Sequence, residues 1–181
     1  FISVQGVAGS GKSALCKKFL KDKNLVLFAR AERFIEASSL DSIWNLNLQD
    51  VFRYTANKRI YIYIDALEFI ADAPKAKQDL LFQLYNNAVN YEHVYIITSC
   101  RSSDKNAFLK IESHFSIKNV GLTVLENSEI NAIASKYPVI MGVKANPVYG
   151  QILNNLFYLN LIVSKIDDKT EIENINSFRS Y

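Results

Sequence analysis

Apolar positions along the first two thirds of the chain alternate between two periods. Short runs rich in β-branched and aromatic residues predict strands at 1–5, 25–30, 60–64 and 94–98, with a shorter one at 122–125. Between them lie stretches with helical spacing. Leu15, Phe19 and Leu20 share one face of an expected helix at 13–22. Trp44, Leu48, Val51 and Phe52, at i, i+4, i+7 and i+8, mark a helix at 40–55. Leu80, Leu81, Leu84 and Ala88 form the stripe of a helix at 75–91, and a further helix is expected at 103–112.

Strands alternating with helices predict βαβ units, and hence an α/β fold with a mostly parallel five-stranded sheet covered on both faces. After residue 125 the strand signal stops. Helices are expected at 128–137, where Ser128 and Glu129 suit a first turn, and at 146–155 and 157–166, followed by a polar tail. The expected organisation is therefore an α/β core at 1–125 and a helical lid or appendage at 126–181.

Composition narrows the classes. The 181 residues are 49% hydrophobic and 22% charged, and ten Tyr and eleven Phe supply a core, which excludes disorder for most of the chain. A net charge of +3 does not call for nucleic acid. No apolar run is long enough to span a membrane, and no basic-flanked signal segment precedes the first strand. Cys16 and Cys100 sit in apolar contexts and read as buried free thiols of a reducing, cytoplasmic setting. His93 and His114 lack metal-ligand spacing. The chain opens on Phe1, which suggests a piece of a longer protein.

Glycine is the outlier. There are six, roughly half the average usage, yet Gly6, Gly9 and Gly11 fall within six positions. They belong to Gly6-Val7-Ala8-Gly9-Ser10-Gly11-Lys12-Ser13, followed by Ala14, which is the G-x-x-x-x-G-K-[ST] pattern of a phosphate-binding (Walker A) loop. Glycines permit the backbone to curl around an anion, N–H groups converge on phosphates, and the following helix adds the positive end of its dipole. Lys12 then reaches the β- and γ-phosphates, and the Ser13 hydroxyl binds Mg²⁺. The strand before and the amphipathic helix after are the context that separates such a loop from an ordinary glycine turn.

Nucleotide hydrolysis also needs a carboxylate beside the cation and a base for water. The run Tyr61-Ile62-Tyr63-Ile64 ends at Asp65, at the sheet edge where open α/β sheets bind ligands. Asp65 is the expected cation partner and Glu68, three residues on, the expected base, with a helix cap and a solvated acid as the plainer readings. The next strand ends Thr98-Ser99-Cys100-Arg101. Thr98 or Ser99 suits contact with water or phosphate, and Arg101 suits sensing of a γ-phosphate; a capping Ser and a surface Arg are the alternatives. If this strand inserts between the phosphate-loop strand and the Asp65 strand, the sheet is of the additional-strand ATPase type.

Five stretches together resemble the STAND class of P-loop NTPases, which includes NACHT and apoptotic-ATPase domains, and are most similar to bacterial antiviral (AVAST-type) members. They are GVAGSGKSALCKKF around the loop, Arg30-Ala31-Glu32 after the second strand, YIYIDALEFI around Asp65, IITSCR ending at Arg101, and Leu156-Phe157-Tyr158-Leu159 in the helical region. Leu156 stands where that family has proline, and Cys100 interrupts a Thr-Ser-Arg ending. The resemblance implies an ATP- and Mg²⁺-dependent molecular switch with slow ATPase activity, self-oligomerisation through this domain, and an effector and a sensor domain elsewhere in the same protein. Two other readings stay open: a small-molecule or nucleotide kinase, for which no arginine cluster follows the fourth strand, and an interaction module whose nucleotide is never hydrolysed. The lack of an Asn-Lys-x-Asp element favours ATP over GTP.

Overall fold

The computed structural model describes residues 1–104, 113–146 and 150–167. Five parallel strands form one sheet: β1 (Ile2–Gly6), β2 (Val26–Arg30), β3 (Ile60–Asp65), β4 (Val94–Arg101) and β5 (Lys118–Leu122). Their spatial order is β2-β3-β4-β1-β5. Thus β4 lies between β3 and β1, pairing Ile62 with Ile96 on one side and Ser3 with Thr98 on the other. The additional-strand order expected from the chain is the one found.

β3 shows why the sequence folds this way. Each of its six residues is buried, and they serve two cores by parity. Ile60, Ile62 and Ile64 face one layer with Phe34, Phe52, Leu81 and Leu84. Tyr61 and Tyr63 face the other with Val4, Cys16 and Leu20. A continuous apolar run is what a central parallel strand covered on both faces requires.

One face is covered by α1 (Lys12–Leu20). Its buried stripe is Cys16 and Leu20, one turn and two turns after Ser13, whereas Leu15 and Phe19 are 43% and 50% exposed. This corrects the expected apolar face. The helix rotates to bring Ser13 over the sheet edge, and that rotation turns Leu15 and Phe19 outward. Lys23 covers the exposed ring, its Nζ 4.8 Å from the Phe19 centroid.

The other face carries α2 (Glu32–Glu36), α3 (Leu48–Tyr54), α4 (Glu68–Ala71) and α5 (Lys75–Ala88). α5 buries Leu80, Leu81, Leu84 and Ala88 as expected, and Tyr85 besides. The single helix expected at 40–55 is instead a 3₁₀ turn (Asp41–Ile43) and α3. Asn45 turns the chain at φ 56°. Asn47 then caps α3, accepting from the Asp50 N–H at 3.1 Å. An Asn side chain tolerates the left-handed turn and competes for the cap, so two asparagines override the apolar spacing.

β5 lies a few residues earlier than expected, because an edge strand of mixed polarity (Lys-Asn-Val-Gly-Leu) carries little apolar signal. Its Asn119 Oδ1 accepts from Gln5 Nε2 at 2.8 Å, tying β5 to β1. Most of the helix expected at 103–112 lies outside the described residues.

The chain divides into two compact units: Phe1–Ala8 with Lys12–Leu122, and Gly9–Gly11 with Thr123–Tyr181. The second has its own core of Ile130, Ala134, Ile140, Val143, Leu153, Leu159 and Ile162. It is built from α6 (Asn127–Ala134), α7 (Val139–Ala145), a 3₁₀ segment (Gly150–Asn154) and α8 (Leu156–Asp167). Glu126, not Ser128, caps α6: its backbone N–H donates to Glu129 Oε2 at 2.8 Å in a reciprocal box. α7 falls where no element was expected, and the 3₁₀ segment takes the described end of the helix expected at 146–155.

Candidate functional site

The loop joins β1 to α1. Gly9 and Gly11 hold φ of 76° and 87°, a conformation that costs any residue with a Cβ. Alternating backbone handedness of this kind aims successive N–H groups inward and makes an anion nest. Within its own unit, Gly9 O accepts from the Phe157 N–H at 3.1 Å, and a Cβ on Gly11 would come 2.7 Å from Leu156 Cδ2. Ser10 Oγ is buried without a hydrogen-bond partner among the described residues. An orphaned hydroxyl inside an anion nest is a group suited to a ligand.

Lys12 opens α1 and folds back on the loop. Its Nζ donates to the carbonyls of Gly6 and Val7, both at 2.9 Å. Two of the three ammonium protons are thus spent on the first residues of the loop. Val7 is 45% exposed. Ala8 lies inside the loop, between Gly6 and Gly9, and Ala14 in the first turn of α1.

One residue on, Ser13 Oγ donates to Asp65 Oδ1 at 2.7 Å. The two expected cation ligands are therefore together. Both are hard oxygen donors, the chemistry that Mg²⁺ prefers. Asp65 ends β3 and is 9% exposed. Two further hydroxyls reach the same Oδ1, from Tyr63 at 2.7 Å and Ser99 at 2.5 Å. Burial pushes the Asp65 carboxyl up, but the Ser99, Ser13 and Tyr63 hydroxyls together outweigh it and hold the group below the usual carboxylate range. Burial raises the Tyr63 phenol, so it stays a proton donor. Burial likewise raises the Cys16 thiol beside it. Cys16 and Cys100 are both buried and form no disulfide among the described residues.

The end of β4 organises the turn after Asp65. Ser99 Oγ accepts from the Ala66 N–H at 3.0 Å, and Ser99 O accepts from the Leu67 N–H at 2.8 Å. Ala66 sits at φ 59°, held there by this pairing. The turn delivers Glu68 to Arg101. Arg101 Nε lies 3.1 Å from Glu68 Oε1, and the Arg101 N–H donates to Glu68 Oε2 at 3.3 Å. The Glu68 side chain is 13% exposed and the Arg101 side chain 51%. Thr98 Oγ1, on the opposite face of β4, is buried without a partner among the described residues.

The expected site residues thus fall into a braced loop (Gly6–Lys12), a hydroxyl–carboxylate pair (Ser13 and Asp65) and an ion pair (Glu68 and Arg101). Tyr63 is the neighbour of Asp65 that no motif marks. Its signal is parity: in a strand, residue 63 points to the same face as residue 65. Among the described residues, no group of three or more His, Cys, Asp or Glu gathers as a metal site, and no helix is long and apolar enough to cross a membrane.

A five-stranded parallel sheet with β4 between the loop strand and the Asp65 strand is the architecture of P-loop NTPases. Comparison with solved structures agrees. The chain is similar to the AMPPCP-bound structure of DnaA from Aquifex aeolicus, with a TM-score of 0.51 at 14% identity. The match covers 76% of this chain and 45% of that one, so the chain spans under half of its neighbour's length. At that identity the likeness establishes the fold. No protein-family model and no curated protein matches.

Proposed function

We propose that this chain is the ATP-binding switch domain of a multidomain STAND-class signalling or antiviral-defence protein, with slow Mg²⁺-dependent ATPase activity. The observation that carries the nucleotide reading is the placement of Ser13 against Asp65 beside a loop whose glycines hold positive φ. DnaA was solved with AMPPCP, a methylene analogue of ATP, on the same fold, which supports a nucleoside triphosphate as ligand. The STAND assignment rests on the ordered motif resemblance, and with it the self-oligomer, the effector and sensor domains of the same protein, and a cytoplasmic setting.

Each residue has a distinct task in this reading. Gly6–Gly11 backbone N–H groups, with Ser10 Oγ, receive phosphate oxygens. Lys12 neutralises charge on the β- and γ-phosphates. Ser13 and Asp65 would hold Mg²⁺, which when bound would supply positive charge against the phosphates. Glu68 orients and deprotonates the attacking water, and Arg101 senses the γ-phosphate. Several phosphate contacts plus the cation commonly support micromolar binding, about −8 kcal/mol.

The ion pair between Glu68 and Arg101 favours a second reading, in which nucleotide is bound but not hydrolysed, because both carboxylate oxygens of Glu68 are already engaged. Turnover by Glu68→Gln separates the two. Hydrolysis predicts a fall of at least tenfold in ATP turnover with ATP affinity kept. Equal inertness of wild type and variant selects the non-hydrolysing module. Transfer of phosphate to an acceptor in a metabolite panel would instead select a kinase.

A further inference from the structure

We propose that Tyr63, with Ser99 as its companion, is a positioning residue for the cation: it keeps Asp65 Oδ1 occupied so that Oδ2 remains the oxygen available to hydrated Mg²⁺. The inference rests on the nucleotide reading above and goes beyond it, since tyrosine at this position belongs to no phosphate-loop pattern.

Three hydroxyl donors converge on Asp65 Oδ1, from Ser13, Tyr63 and Ser99 at 2.7, 2.7 and 2.5 Å. A carboxylate oxygen offers two lone-pair directions, so three donors are one more than it needs. Oδ2 receives none of the three. Ser13 is the donor with a second task, since its oxygen lone pairs would also serve the cation while its proton goes to Asp65. Tyr63 and Ser99 occupy Oδ1 as well. Without them Ser13 alone restrains the rotation of the carboxylate.

Tyr63 is held rigidly for that task. It is 1% exposed, and its ring is fixed in the apolar layer beneath α1 with Val4, Cys16 and Leu20. Phe28 packs against it at a centroid distance of 5.5 Å. A rigid ring places its hydroxyl without the rotamer freedom of a serine. Ser99 divides its work, since its Oγ also accepts from the Ala66 N–H at 3.0 Å. Any strand residue with a large apolar side chain would fill the space under α1, but only tyrosine among them also reaches a carboxylate two residues along.

The test is calorimetric titration of the chain with ATP in MgCl₂ and, separately, in EDTA. For Tyr63→Phe the expected result is a loss of about tenfold or more in affinity with Mg²⁺, the range for outer-shell partners of metal ligands. Affinity in EDTA stays within twofold of wild type. The loss disappears in an Asp65→Asn background, because the phenol acts through that carboxylate. Ser99→Ala reports on the same oxygen and is expected to lose Mg²⁺-dependent affinity in the same way, so the proposal stays testable if Tyr63→Phe folds poorly. An unchanged Mg²⁺ advantage in both variants overturns the proposal. So does an equal loss with and without Mg²⁺, which marks a purely structural role. Wild type that binds no ATP in either buffer overturns the nucleotide reading itself, a result distinct from the other two.

Discussion

Asp65 illustrates how much of a site lies in side chains that carry no motif. Its position follows from the apolar run of β3, and its pairing with Ser13 follows from the phosphate-loop pattern; both were legible in the chain. The Tyr63 contact was not, because tyrosine in IYIYID reads equally well as core. The Glu68–Arg101 pair was half legible: both residues were marked, but their partnership depends on the turn at Ala66 and on Ser99, which spacing does not reveal. The hydroxyls around Asp65 have a measurable consequence. Its carboxyl is held below the usual carboxylate range, so the stability it contributes is present above about pH 4, the unfolded value, and is lost as pH falls further. Urea unfolding of wild type and Asp65→Asn from about pH 6 to about pH 3 should show the stability gap narrowing as pH falls. A constant gap would mean that the carboxylate charge plays no part.

At the scale of elements, strong periodicity was read correctly and local overrides were not. β3 and α5 each carry one unambiguous pattern, continuous apolar for a central strand and i, i+4, i+8 for a surface helix. The 40–55 segment carries an equally good stripe, yet Asn45 and Asn47 break it, because a left-handed turn and a side-chain cap cost less there than continuing the helix. Asn47→Ala should therefore destabilise the first unit by about 1 kcal/mol, the usual cost of losing an N-cap, measured by denaturant unfolding. No change in midpoint would indicate that α3 is held by Leu48 and Phe52 packing alone. α1 makes the complementary point. Its apolar residues were correctly counted, but its rotation is fixed by Ser13, so the residues that face the sheet are Cys16 and Leu20.

For the whole molecule, strand order is what links sequence to function. Inserting β4 between β3 and β1 brings three strand ends to one edge: the loop after Gly6, Asp65, and Ser99 with Arg101. That topology was legible because a polar-ended strand followed the carboxylate strand. The helical unit was less so, since α7 is seven residues with a central glycine after Pro138, too short for its period to emerge. The central claim is that the edge binds Mg-ATP through Lys12. Mg-ATP at one hundred times its dissociation constant should stabilise the fold by roughly 2.7 kcal/mol, a rise in melting temperature of about 5–10 °C for a chain of this size. The most direct measurement is calorimetric titration of the wild-type chain and of Lys12→Ala with ATP and MgCl₂. The account predicts saturable binding of micromolar order by wild type and a loss of at least tenfold in the variant. No saturable binding by wild type, or equal binding by both, would contradict it.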